Sequence, residues 1–470
     1  MKRYIVRTYG RLSVQKILKR QIMRLAKTTD LCINNFYNVI CGIMPRITYI
    51  KPKDEMIMHC DKPIIILPEK ISVLRDVKNQ SIHTDFEQYS IYYKNIIYPY
   101  SEEYDVQIEC EFGKNLGNCW RLEEFNDIAD TFLLTLKIYG YYGKLLTEKS
   151  CRVQIFEKKE YPPVNLLCIG DSMTMAETYI AHTVNKLKNI NTIGLRNISH
   201  NVNHEGRGGW TCSAYFEKYT DDGWGISPFL FPEGFDGKEY YGDKKFYEYM
   251  LNTNTDYSHI GTSVTPIQDG MVICDNDKLY RYSKGIYDVV CENPVFKFDF
   301  SKYMERYSMP TPDIVSILFG ANEFQICSYS EFDNELNKFI CNLNNMIEAI
   351  HKYNHNIKIV INLPICGGDQ YSWGTQLGCK SSAKQYEYCI KMACSAITDL
   401  FDRRRNENIF VCPMLAVCDT VNGFQSDYIK SNIYSEHFER HITNWVHPSE
   451  IGYKQMGDAL AGVIADICDN

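Results

Sequence analysis

The chain has 470 residues, 45% hydrophobic and 23% charged, a globular composition that excludes disordered and fibrous architectures and is long enough for two or three domains. Its net charge of −7 is unevenly spread: residues 1–27 hold nine Lys or Arg and no acid, leaving 42 basic against 58 acidic residues beyond them. A chain that acidic is not a general nucleic-acid binder, and its longest apolar runs, such as residues 63–68, fall far short of the roughly 18 residues of a membrane span.

The nineteen cysteines are odd in number and scattered, often within apolar stretches (Cys168, Cys274, Cys341, Cys412). No CxxC and no Cys/His ligand spacing occurs, so neither a metal site nor a cofactor is expected. Buried thiols of this kind fit a reducing compartment. The N-terminus lacks the unbroken apolar stretch of about 7–15 residues found in signal peptides. A cytoplasmic location is the default expectation, with export left open.

Residues 12–25 place apolar side chains at helical spacing among basic ones, which predicts a basic amphipathic helix within an N-terminal segment 1–58. Such a helix either docks on its own domain or, through residues 1–27, meets a membrane surface or a partner. From residue 59 to 160 the pattern changes to short alternating runs, among them residues 106–110, 132–139 and 152–156, separated by turn residues. Strands with no helix between them predict a small antiparallel β-sandwich, Ig-like or jelly-roll-like. Two prolines at 162–163 close the linker.

Beyond them strand and helix alternate. Strands are predicted at 164–169, 191–196, 313–319, 357–363 and 409–414, with helices at 171–188, 331–352, 383–405 and 450–468. This rhythm means βαβ units and a parallel sheet covered on both faces, with ligands beyond the carboxyl ends of the strands. Residues 215–308 interrupt it with 21 aromatics and no helical period, which predicts a β-rich insertion. Its rings either offer flat faces to a ligand or build a small core of their own.

Four short blocks fall where such a sheet would gather chemistry. After the first strand comes Gly170-Asp171-Ser172, a serine at a strand-to-helix turn. After the second comes Gly208-Gly209, after the third Gly320-Ala321-Asn322, and before the last helix His447-Pro448. Each alone has a structural explanation as a cap, a turn or a packed imidazole. Together they supply a nucleophile, oxyanion donors and a base, the parts of acyl transfer.

In these blocks and their order, residues 164–470 resemble the SGNH (GDSL) hydrolase family. The resemblance implies a flavodoxin-like three-layer α/β/α domain over residues 161–470, with Ser172 as nucleophile and His447 as general base. It also implies an oxyanion hole formed by the N–H groups of Ser172 and Gly209 with the Asn322 side chain. Two positions depart from the family: Glu323 stands where aspartate is usual, and Asn444 occupies the place of the acid three residues before the histidine. In serine proteases the equivalent Asp-to-Asn change lowers kcat about 10⁴-fold. A Ser–His dyad oriented by an amide or a backbone carbonyl is the favoured reading, with a borrowed acid or an inactive site as the others. A β-sandwich ahead of the catalytic domain resembles carbohydrate O-acetyl esterases, which makes an acylated carbohydrate, or another small ester, the expected partner. A polysaccharide O-acyltransferase and a non-catalytic glycan-binding protein are the competing functions.

Overall fold

Along Thr131–Tyr139 the side chains of Phe132, Leu134, Leu136 and Ile138 are buried while their neighbours face outward, the period-two signature of a half-buried strand. The computed structural model describes residues 62–75, 88–123, 128–218, 226–243, 267–380 and 382–469; the expected basic helix near the N-terminus lies outside them. In the β-rich region the principal strands are β1 (Lys70–Arg75), β2 (Gln88–Tyr92), β3 (Asp105–Glu109), β4 (Cys119–Glu123), β5 (Thr131–Tyr139) and β6 (Leu145–Glu157). One sheet has the order β1-β6-β5-β3, with β1 parallel to β6 and the other pairs antiparallel. A second joins β2, β4 and the short strand Lys114–Asn115. Trp120 of β4 meets Phe132 of β5 with ring centroids 6.3 Å apart, so the two sheets share apolar contacts.

Next come β7 (Val164–Gly170), α1 (Ser172–Met175), α2 (Thr178–Leu187) and β8 (Ile190–Ile193). The insertion ends in α3 (Phe300–Arg306), and after it follow β9 (Ile314–Leu318), α4 (Ala321–Phe324), α5 (Phe332–Tyr353) and β10 (Lys358–Asn362). The chain ends with α6 (Gln370–Leu377), α7 (Ala383–Phe401), β11 (Ile409–Cys412) and α8 (Glu450–Asp469). The order β8-β7-β9-β10-β11 is parallel throughout, the 2-1-3-4-5 arrangement of flavodoxin-like sheets. Every residue of β9 is buried, as expected where helices cover both faces. Glu205–Gly206 pairs with Ile169–Gly170 and prolongs the second-strand position toward the carboxyl end of β7.

The predicted single helix 171–188 is in fact two. Glu177 between α1 and α2 has φ 62°, and its carboxylate accepts the N–H groups of Ile198, Ser199 and His200. Those tertiary bonds outweigh helix propensity at that position.

Helix α8 is buried along almost its whole length because it packs against both α2 and β1. A Cβ at Gly462 would lie 2.0 Å from the Ser72 carbonyl oxygen, so only glycine lets helix and strand approach this closely. Asp466, fully buried, accepts from Lys70 Nζ at 2.6 Å, Ser72 Oγ at 2.8 Å and Arg405 Nη1 at 2.8 Å. The described residues between 62 and 469 accordingly belong to one compact unit, in which a continuous hydrophobic core joins the first β-rich region to the parallel sheet.

The described part of the insertion is β-rich, with a four-stranded sheet built from Tyr240–Asp243, Val272–Asp275, Lys278–Ser283 and Ile286–Glu292. Many of its aromatics form their own core: Phe229 packs on Tyr303 at 4.3 Å and on Phe298 at 5.1 Å, and Phe229, Phe300 and Tyr303 are buried. Those rings are not available to a ligand.

Candidate active site

Ser172 opens α1 immediately beyond the carboxyl end of β7, with Asp171 as N-cap accepting the Met173 N–H at 2.9 Å. The preceding turn demands glycine: a Cβ at Gly170 would lie 2.1 Å from Thr174 Oγ1 and 2.6 Å from the Leu318 carbonyl oxygen. Across the site, His447 Nε2 lies 2.7 Å from Ser172 Oγ, although 275 residues separate them in sequence. Both side chains are partly exposed, as a substrate requires. Burial holds the His447 imidazole below its ordinary pKa.

Asn444 does not take the place of a triad acid. Its Oδ1 accepts the backbone N–H groups of His447 at 2.9 Å and Val446 at 3.2 Å, so the side chain caps the turn that delivers the histidine. Among the described residues no carboxylate is hydrogen-bonded to His447. Among the described residues the His447 ring has no hydrogen bond to Asn444: the amide oxygen, one of the ring partners left open by the sequence, is engaged by the main chain.

Gly209 lies in the loop after Glu205–Gly206 with φ 77°, a left-handed conformation that glycine adopts without strain. Its N–H and that of Ser172 have no backbone acceptor among the described residues. Asn322, on the first turn of α4, donates through Nδ2 to the Trp210 carbonyl oxygen at 2.9 Å. One N–H of its amide is thereby fixed and the second remains for a ligand. The Arg207 N–H donates to the Gly170 carbonyl at 3.0 Å. The four blocks are therefore tied together, the second through its flanking residues: Arg207 bonds to Gly170 of the first, Trp210 to Asn322 of the third, and His447 of the fourth lies against Ser172 of the first.

Two carboxyl groups near these blocks are held in unusual states. Burial, with the neighbouring Glu323 charge, pushes Asp171 up to about 8. Burial likewise pushes Glu323 up to about 7, against the hydrogen bonds it accepts from backbone N–H groups.

Behind the Gly209 loop lies a polar network that the sequence reading did not assign. His204 Nδ1 accepts the Gly206 N–H at 2.9 Å and its Nε2 lies 3.0 Å from Glu177 Oε1. Burial raises the Glu177 pKa, but His204 and three backbone N–H groups more than offset this and bring it down to about 2. Glu205 accepts from Tyr303 OH at 2.6 Å, from the Leu195 N–H at 2.7 Å and from Arg207 Nη1 at 2.9 Å. The Arg207 guanidinium in turn stacks over Trp210, 5.1 Å from the ring centroid. The run His204-Glu205-Gly206-Arg207, charged yet leading into an apolar sheet, was the available signal.

Fold and block placement now agree. The chain resembles the SGNH hydrolases in both. Its sequence matches no protein-family model and no curated protein. Among solved structures it is similar to the carbohydrate acetylesterase family member from Sinorhizobium meliloti, at 12% identity over 65% of this chain and 100% of that one, TM-score 0.32. The acetyl xylan esterase AlAXEase gives 14% identity, 64% and 100% coverage and a TM-score of 0.28. The acetylxylan esterase Axe2 from Geobacillus stearothermophilus gives 12%, 64%, 94% and 0.25. Among the described residues no helix is long and apolar enough to cross a membrane.

Proposed function

We propose that this SGNH-like chain is a serine ester hydrolase that removes acyl groups, acetyl first among them, from a carbohydrate. The observation that carries the reading is the 2.7 Å contact between Ser172 Oγ and His447 Nε2 at the carboxyl edge of a parallel sheet. A histidine below its ordinary pKa is neutral at pH 7 and ready to accept a proton. Ser172 Oγ attacks the ester carbonyl carbon as its proton passes to His447 Nε2. The N–H groups of Ser172 and Gly209 and the free Asn322 N–H receive the developing oxyanion. Collapse expels the sugar alkoxide, which takes the proton from His447. Water, deprotonated by the same nitrogen, then attacks the acyl-serine to release a carboxylic acid, and the departing Ser172 Oγ takes that proton back from His447.

Two features support a carbohydrate. The hairpin Ser426–Lys430 with Phe438–Ile442 runs directly into the His447 turn and exposes Tyr428 and Tyr434, rings whose faces suit pyranose C–H groups. The two sheets before β7, in contact through Trp120 and Phe132, support the β-sandwich that the resemblance to carbohydrate O-acetyl esterases implies. The test is hydrolysis of p-nitrophenyl acetate, followed by a screen of acetylated glycans. Ser172→Ala must abolish turnover in both, and full activity in that variant would refute the reading.

A further inference from the structure

Glu323, adjacent to Asn322, occupies an unusual position between two loops. Its Oε2 accepts the Gly320 N–H at 2.9 Å and its Oε1 accepts the Cys212 N–H, 111 residues earlier in the chain. Gly320 belongs to the turn that presents Asn322, and Cys212 closes the loop that begins at Gly209. Asn322 meets the same loop from the other side, donating to the Trp210 carbonyl. One carboxylate therefore pins a loop N–H while the neighbouring amide pins a loop carbonyl.

We propose that Glu323 is a positioning residue of the oxyanion hole, a two-ended brace that sets the distance between the Gly209 N–H and the Asn322 amide. The proposal rests on the hydrolase reading above. Both groups facing the carboxylate are donors, so the brace needs an acceptor at each end. Glutamate offers two acceptor oxygens, whereas glutamine would turn an NH₂ against one of the backbone N–H groups and lose that bond. Aspartate, one methylene shorter, reaches from the same Cα toward the near N–H of Gly320 but not fully to Cys212. Hydrogen bonds from backbone N–H groups to a carboxylate are among the stronger ones, which suits a rigid spacer. Because Glu323 engages no group that substrate displaces, loosening it disturbs the transition-state donors and leaves ground-state binding intact.

The experiment compares the parent with Glu323→Gln and Glu323→Asp, using p-nitrophenyl acetate kinetics and amide hydrogen exchange on the full chain. Expected for Glu323→Gln is a kcat about 10- to 100-fold lower with KM within about threefold, a smaller loss than deleting an oxyanion donor outright. Faster exchange confined to the peptides holding Gly209–Cys212 and Gly320–Asn322 accompanies it. Glu323→Asp gives partial rescue, a kcat between those of the parent and the glutamine variant. If the glutamine variant does not fold, the aspartate variant decides alone: an intermediate kcat at unchanged KM supports the brace. Parent-like kcat in the folded variants, or exchange unchanged in both loops, overturns it. Activity surviving in Ser172→Ala would instead remove the hydrolase reading, while local exchange in the Glu323 variants would still report the brace.

Discussion

Asn444 holds His447 by its backbone and not by its ring: Oδ1 accepts the His447 N–H at 2.9 Å and the Val446 N–H at 3.2 Å. The fourth block thus keeps the geometry of a turn while lacking the charge of a triad. Asn444→Ala removes both bonds, and kcat should fall by about tenfold as the turn loosens. Asn444→Asp keeps the acceptor, so the turn survives, while its added charge must be partly desolvated. Its kcat should stay level or fall. A gain of about tenfold or more would identify the natural site as a weakened triad.

His447 is depressed by burial, and among the described residues no carboxylate is bonded to it. An NMR titration of its imidazole should give a pKa below the ordinary value of about 6.5, and the acid limb of kcat/KM should follow it. In the window between the depressed and the ordinary pKa the unfolded chain binds more protons, so this residue's contribution to stability is lost as pH falls. Asn444→Asp should shift the NMR value upward. A parent pKa above 7 would mean that a carboxylate reaches the ring.

Asp171 is the reverse case, raised to about 8. Below its unfolded value near 3.8 both states are protonated; between there and 8 the folded state holds the proton more tightly, so stability declines as pH rises. Asparagine can still accept the Met173 N–H as N-cap and removes the buried charge. The melting temperature of Asp171→Asn relative to the parent should therefore increase from pH 4 to pH 8. A constant difference across that range would contradict the assignment.

Asn322 carries one committed and one available N–H. Asn322→Ala should lower kcat by roughly 10²–10³-fold with KM near normal, the usual loss of one oxyanion donor. Unchanged kcat would take Asn322 out of the oxyanion hole.

The parallel sheet was legible because strands buried on both faces read as apolar runs: residues 164–169 and 313–319 anticipate β7 and β9 to within a residue at each end. The meeting of Ser172 with His447 was legible from the order of the four blocks and the resemblance they carry, Ser172 following a strand's carboxyl end and His447 preceding the last helix. What escaped depends on distant partners. The break at Glu177 is set by N–H groups some 20 residues later, and the Glu323 brace by one 111 residues earlier. Helix α6 was also missed, since its eight residues carry little apolar period. The aromatic insertion read equally well as a platform or a core, and only packing around Phe229 distinguishes the two for its buried rings.

The central claim is that Ser172 is a nucleophile activated by His447. A fluorophosphonate probe, read by intact mass and peptide mapping, tests it most directly because phosphonylation needs the activated hydroxyl but no knowledge of the substrate. One adduct is expected, on Ser172, strongly suppressed in His447→Ala and absent in Ser172→Ala. An adduct on another serine, or undiminished labelling of Ser172 without His447, would contradict it.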